Sequence, residues 1–362
     1  MTKKSFAALC AATAVALILA VTAILSQPQF ESSDTQGALV FPNLGRDADR
    51  LKTVVIRHGA EVVSLDWDGK IWHERERSNY LADREKVNAL INTLARMVKI
   101  EGKTKQPDRY ARLEVEDPTA KNARGRQITL LDADGKEIAN VVIGKRQFNM
   151  GTQGSNTYIR LAGDPQVWLA TGEFTPETAA SYWLQNTIAD ISQVNVKGVT
   201  VTHPNGEKVI VGRPTPDAPD LVVENLPTGA TPPIANVVDE YASVLSSMTL
   251  SEVAPAADKP FPKDKTITAV IEGQVGFQVT VEIADLDGQD WIKVKGTPPV
   301  AGAVKPGESG MIDLRTDWNK VINDLNARTD GWVFQVPDFQ ISPLKKRMAD
   351  LLKKNTMPGV PG

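Results

Sequence analysis

Three histidines, one cysteine and one serine in a glycine-rich loop are the side chains from which this chain could build metal, acid–base or nucleophilic chemistry. His58, His73 and His203 fall in predicted turns or strands. None stands in a ligand spacing, and no HExxH, paired cysteine or compact acidic cluster accompanies them. Ser155 lies in the run GTQGSNT at 151–157, but no base is paired with it, and an unassisted hydroxyl is a weak nucleophile. There is no P-loop for ATP and no G-x-S-x-G elbow. Cys10 is the sole cysteine, so no intramolecular disulfide can form. It also lacks a lipobox. The expectation is a non-enzymatic chain with no catalytic residue, no metal and no cofactor.

The 151–157 loop has a second use. Its glycines permit turns that present successive N–H groups to an anion or a peptide carbonyl. The plain alternative is a hairpin loop. The tryptophans, Trp67 to Trp332, are spread along the chain and read as packing residues. The chain has 362 residues and a net charge of −3, with no dense Lys/Arg patch, which excludes nucleic acid as a partner.

These residues need a scaffold, and the chain announces its start clearly. Residues 6–25, FAALCAATAVALILAVTAIL, carry no charge and follow Lys3 and Lys4. As a helix they would span about 30 Å, the hydrocarbon thickness of a bilayer. Two readings stand: a retained single-pass anchor or a cleaved signal peptide. Positive-inside bias leaves the amino terminus of the span in the cytoplasm, and both readings export the main domain. The expected localisation is the bacterial inner membrane, with the main domain periplasmic or extracytoplasmic. The expected organisation is 1–26 for the cytoplasmic start and transmembrane anchor, 27–49 for a stalk, 50–192 for a first module and 193–362 for a second.

The modules read as one α+β design used twice, a pair of mainly antiparallel sheet-and-helix units after a single N-terminal transmembrane helix. In the first, strands at Leu51–Arg57 and Glu61–Trp67 flank His58-Gly59, and Asp68-Gly69 turns into Lys70–Glu74. A helix over 84–99 follows, with Val87, Leu90, Ile91, Leu94, Met97 and Val98 in one stripe and Asp83 as its cap. Ile128–Leu131 and Val141–Ile143 flank Asp134-Gly135. In the second, Gly198–Thr202 and Lys208–Val211 flank Asn205-Gly206. A helix over 235–248 follows, then strands at Gly276–Ile283 and Trp291–Val294 around Asp287-Gly288. Between the modules, Tyr158–Leu161 pairs with Val167–Ala170, and a helix runs from Thr175-Pro176 to Ile188. Residues 213–233 and 255–265 read as loops. Late helices are expected over 318–328 and 343–354, the latter started by Ser342-Pro343. Its Lys345, Lys346 and Arg347 either cover the protein body or meet anionic lipid or an acidic partner.

Tyr80–Lys99, Ile128–Lys145 with its DGKE turn and IGK ending, GTQGSNTYIRLAGDPQVWLA at 151–170 and GWVFQVPDFQISPLKKRMADLL at 331–352 together resemble the bacterial domain of unknown function 4340 family. The chain departs from the family's Leu-Asp-x-Pro pattern at Leu113–Pro118, reading LEVEDP. The resemblance implies association with ABC transporter or gliding-motility-type accessory systems and transfers no catalytic residue. The expected function is a non-catalytic extracytoplasmic accessory or scaffold subunit of an ABC-type transport or envelope-organising complex. Its expected partners are membrane proteins of that system, and the bilayer through residues 6–25. The alternative is a periplasmic solute- or polysaccharide-binding module with its ligand in a groove between the modules.

Overall fold

The computed structural model describes residues 37–147, 155–300 and 316–352. It is α+β and divides into two compact sheet-rich units. One unit holds the chain up to Ser64 together with Glu85–Thr178. The other holds Leu65–Arg84 together with Ala179 onward.

In the first unit β1 (Leu51–His58) turns at Gly59 into β2 (Glu61–Trp67). Gly59 supplies the left-handed φ of +59° that the turn requires. Residues Leu65–Trp67 of β2 pair with β3 (Trp72–Glu74), which pairs with β4 (Tyr80–Leu81). All of these lie in the second unit. Helix α1 (Arg84–Arg96) then begins, burying Val87, Leu90 and Leu94 at the spacing its sequence predicts. It stops before 99 because Val98 bridges Leu39 and Lys99 opens β5 (Lys99–Thr104). Strands β6 (Arg126–Asp132), β7 (Glu137–Gln147), β8 (Asn156–Leu161) and β9 (Val167–Thr171) complete a sheet ordered β2-β1-β6-β7-β8-β9-β5.

The second unit contains β10 (Thr187–Ala189), β11 (Val196–Thr202), β12 (Lys208–Gly212), β13 (Val222–Val223), helix α2 (Ala235–Ser243) and β14 (Met248–Thr249). After them come β15 (Glu252–Pro255), β16 (Ile267–Gly273), β17 (Gln278–Leu286), β18 (Gln289–Thr297), helix α3 (Trp318–Thr329) and β19 (Trp332–Gln335). Two short helices, α4 (Asp338–Lys345) and α5 (Met348–Leu352), follow. The order β12-β11-β16-β17-β18-β19-β15, with β13 beside β12, is the first unit's permutation over again. β10 and β14 form a separate pair. One face of the sheet, including Val199, Ile271, Val281 and Ile292, joins Val238 and Tyr241 of α2 and Ile322 and Leu325 of α3 in one core. Helix α3 sits close on β18 because position 296 is glycine. A Cβ there would lie 2.6 Å from Ile322. The Asn326 side chain brackets Gly296, accepting from its N–H at 2.8 Å and donating to its carbonyl at 2.9 Å.

Several expectations need correction. No helix of the described residues is long and apolar enough to cross a membrane. The longest, α1, has 13 residues and so reaches about 20 Å, and its outer face is charged. The transmembrane helix expected at residues 6–25 lies outside the described residues, as do the stalk before Gly37 and Cys10. The single-pass inner-membrane placement, the periplasmic main domain, the bilayer contact and the membrane-protein partners built on that helix therefore lose their support and are set aside.

The helix expected over 175–188 is a single turn, Ala180–Trp183. Leu184 leaves it extended, Gln185 N–H donates to Leu81 O, and Ile188 enters β10. The helix expected over 343–354 is two. Pro343 sits inside α4 rather than at a start, and Lys346 breaks the run with extended backbone. Within the repeat, the partner of β6–β7 is β16–β17, one strand earlier than the Asp287-Gly288 turn suggests. The strand at Ile267–Gly273 lies just after the stretch read as a loop, and it returns through Gly276 at φ +89°.

Candidate functional site

The conspicuous side chains are dispersed and structurally committed. His58 Nδ1 lies 3.2 Å from Gly125 O. His73 places Nδ1 2.9 Å from Asn79 O and Nε2 3.0 Å from Asp68 Oδ2, so both ring nitrogens face acceptors. Backbone N–H donation from Ile71, then the His73 contact and the Lys70 N–H, lower the Asp68 carboxyl to about 2. His203 is buried, with Nε2 3.2 Å from Lys346 O. No group of His, Cys, Asp or Glu that could hold a metal ion occurs among the described residues. Ser155 is half-buried at the entry to β8, and the glycines of its loop lie outside the described residues. The basic run of the last helices is tied down within its own unit. Lys345 reaches Asp290 and Asp338, each at 2.6 Å. Lys346 reaches Glu240 at 2.6 Å and Arg347 reaches Glu207 at 3.0 Å.

The structure supplies instead a cleft that sequence patterning missed. Along the outer face of the second sheet, Thr268, Glu282 and Lys293 stand side by side in register on β16, β17 and β18. Strand partners on one face put neighbouring Cβ atoms about 5 Å apart. The 256–266 connector between β15 and β16 crosses this row. It leaves a cleft of ≈500 Å³, walled by Lys259, Phe261 and Lys263, with Val333 of β19 also on its lining. Lys259 Nζ sits 5.1 Å from the Trp291 ring centroid, a cation–π contact. Lys263, Lys293 and Glu282 form no ion pair among the described residues.

The equivalent face of the first unit is closed. There Val142, Arg160 and Val167 take the places of Glu282, Lys293 and Val333, as the matching registers show. The 105–125 connector is longer, and it lays Tyr110, Leu113 and Val115 onto Val142, Val167 and Tyr158. Arg160 donates Nε–H to Val115 O at 2.9 Å and stacks 4.9 Å from the Tyr110 ring. Tyr110 OH donates to Pro165 O at 2.6 Å. This cover explains the IGK ending: a Cβ at Gly144 would fall 2.3 Å from Leu113 O. A smaller cleft of ≈260 Å³ nearby is lined by Glu114, Arg124, Arg126 and Lys145, with Arg124 paired to Glu114 at 3.2 Å.

A family model described as Domain of unknown function (DUF4340) matches residues 72–266, more than half of the chain. The chain belongs to that family. No curated protein and no solved structure gives a significant match. The DUF4340 match begins at β3 and ends just before β16, so it covers the connector over the cleft but not the strands beneath it.

One further group is unusual. The Glu74 carboxyl is fully buried, beside the Glu76 carboxyl and the Arg77 backbone N–H. Burial above all, then the Glu76 carboxyl it meets, pushes it up to about 8, against a smaller opposing pull from Arg77. In its protonated form the Glu74 carboxyl can donate to the Glu76 carboxylate. No lone-carboxyl signal in the sequence marks this site. The only cue is a Glu at the inward position of the short Trp72–Glu74 strand.

Proposed function

We propose that this chain is a non-catalytic binding protein, an accessory or scaffold subunit of an ABC-type transport or envelope-organising assembly. The observation that carries the reading is the duplicated sheet, with one outer face sealed by its connector and the other left open as a polar cleft. A fold used twice and differentiated on one face is suited to holding something rather than transforming it. The family resemblance supplies the ABC-type context. Crosslinking in cells followed by partner identification tests it. An ABC-type component linked reproducibly to this chain is the expected result, and recovery of the chain alone while such components are intact overturns it.

A second reading is solute binding. The ≈500 Å³ cleft favours it, since clefts of about 300–1,000 Å³ hold small molecules. The cleft belongs wholly to the second unit.

A further inference from the structure

We infer that the cleft under the 256–266 connector binds a small organic anion bearing hydroxyl groups, a phosphorylated or carboxylated sugar-like molecule. The inference rests on the solute-binding reading and names its ligand class.

The two copies make the comparison. At equivalent places the first unit has Val142 and a committed Arg160, roofed by Tyr110 and Val115. The second has Glu282 and Lys293, roofed by a shorter connector that adds Lys259 and Lys263. The fold therefore does not require a polar cleft here, because its twin closes the same face with apolar packing. Three lysines and one glutamate line the cleft, a local positive excess in a chain whose net charge is −3. Like charges gathered along one concave surface repel one another, and an incoming anion relieves that repulsion. Lysine suits this task as a compact point charge with rotatable donors. Lys259 lies over the Trp291 ring, and among the described residues it forms no ion pair with a carboxylate.

The rest of the lining fits neutral oxygen groups. Glu282 offers acceptors for hydroxyls. Thr268, beside it in register, offers a donor and an acceptor. Thr266 already donates to Pro262 O at 2.6 Å and keeps its acceptor capacity. The ligand's anionic end is assigned to Lys259, Lys263 and Lys293, and its hydroxyls to Glu282 and Thr268.

Isothermal titration of the full chain with glucose 6-phosphate, glucuronate and glucose tests this. The expected result is saturable one-to-one binding of at least one of the two anions. That binding weakens tenfold or more in Lys263→Glu and in Lys293→Glu, and it falls with added salt. The two anions separate phosphate from carboxylate preference. Should Lys293→Glu fail to fold, Lys263→Glu, on the exposed connector, decides alone. No binding of either anion to folded protein overturns the inference, and so does binding that both variants leave unchanged. Glucose binding as tightly as the anions also overturns it, while leaving the solute-binding reading standing.

Discussion

Glu74 lies directly across the β3–β4 pair from Tyr80, and both side chains are fully buried. Around them stand Glu76 and Arg77 on the same segment, with Arg77 donating to Glu252 at 2.7 Å, and Arg328 of α3 acting on Tyr80. Tyr80 also meets the Trp332 and Phe334 rings edge-on at 4.9 and 5.9 Å. Burial raises the Tyr80 hydroxyl, so it stays neutral. Glu74 is the titrating member, raised from 4.5 to about 8. Below 4.5 both folded and unfolded chains hold this proton. Between 4.5 and about 8 the folded protein keeps it while the unfolded chain has released it, so stability falls as pH rises and levels off above about 8. Glu74→Gln, which keeps a donor toward Glu76, should flatten that decline. Thermal unfolding at pH 5 and pH 8.5 checks it: the variant should gain at the higher pH. Parallel pH profiles for the two proteins would contradict the assignment.

Gly144 and Gly45 make a matched pair. Alanine at Gly144 meets Leu113 O and Val115 of the connector, while nothing lies within 4 Å of a Cβ at Gly45. Overpacking of this kind costs about 1–3 kcal/mol. Urea unfolding should show that loss in Gly144→Ala and almost none in Gly45→Ala.

Tyr110 should be the main anchor of the first unit's cover. Removing its ring in Tyr110→Ala is expected to cost about 3 kcal/mol. Tyr110→Phe, which loses only the bond to Pro165 O, should cost about 1 kcal/mol. Denaturant midpoints measure both, and equal losses would mean that the ring packing contributes little.

At the end of the described chain, packing should outweigh charge. Ile341 and Leu344 are buried in the second unit's core. Leu344→Ala is expected to cost about 2–5 kcal/mol. Lys346→Ala and Arg347→Ala break partly exposed ion pairs and should cost at most about 1 kcal/mol each. The same denaturation series ranks all three variants.

The acid side of Glu207 runs opposite to Glu74. The Met348 N–H and the Arg347 guanidinium hold its carboxyl below the ordinary glutamate range. Its contribution is present above that range and is lost as pH falls through the lowered value. Glu207→Gln should narrow the acid-induced drop in unfolding temperature below pH 4.5. An unchanged drop would contradict it.

Much of the α+β scaffold was legible because local turn chemistry and side-chain period agree. Asp134-Gly135, Asn205-Gly206 and Asp287-Gly288 each sit where a hairpin turns, and Val87, Leu90 and Leu94 each face inward. The failures have a common cause, which is pairing with residues far along the chain. Leu184 is drawn out of a helix by its bridge to Ala82, and Ile188 by the β10–β14 pair. Pro343 looks like a helix start by type but is buried in the last turn of α4. The cleft was harder still. Glu282 and Lys293 read as ordinary outward positions on two strands, and only the register sets them side by side under a lysine-bearing connector. The buried Glu74 depends in the same way on distant walls.

Segment Leu65–Arg84 belongs with the chain from Ala179 onward, not with the strands that precede it. During synthesis it leaves the ribosome well ahead of Tyr80's ring partners, Trp332 and Phe334. Until then an aromatic, acid-bearing stretch waits without its shelter. Vectorial production thus keeps the second unit from maturing until the chain has been extended past Phe334.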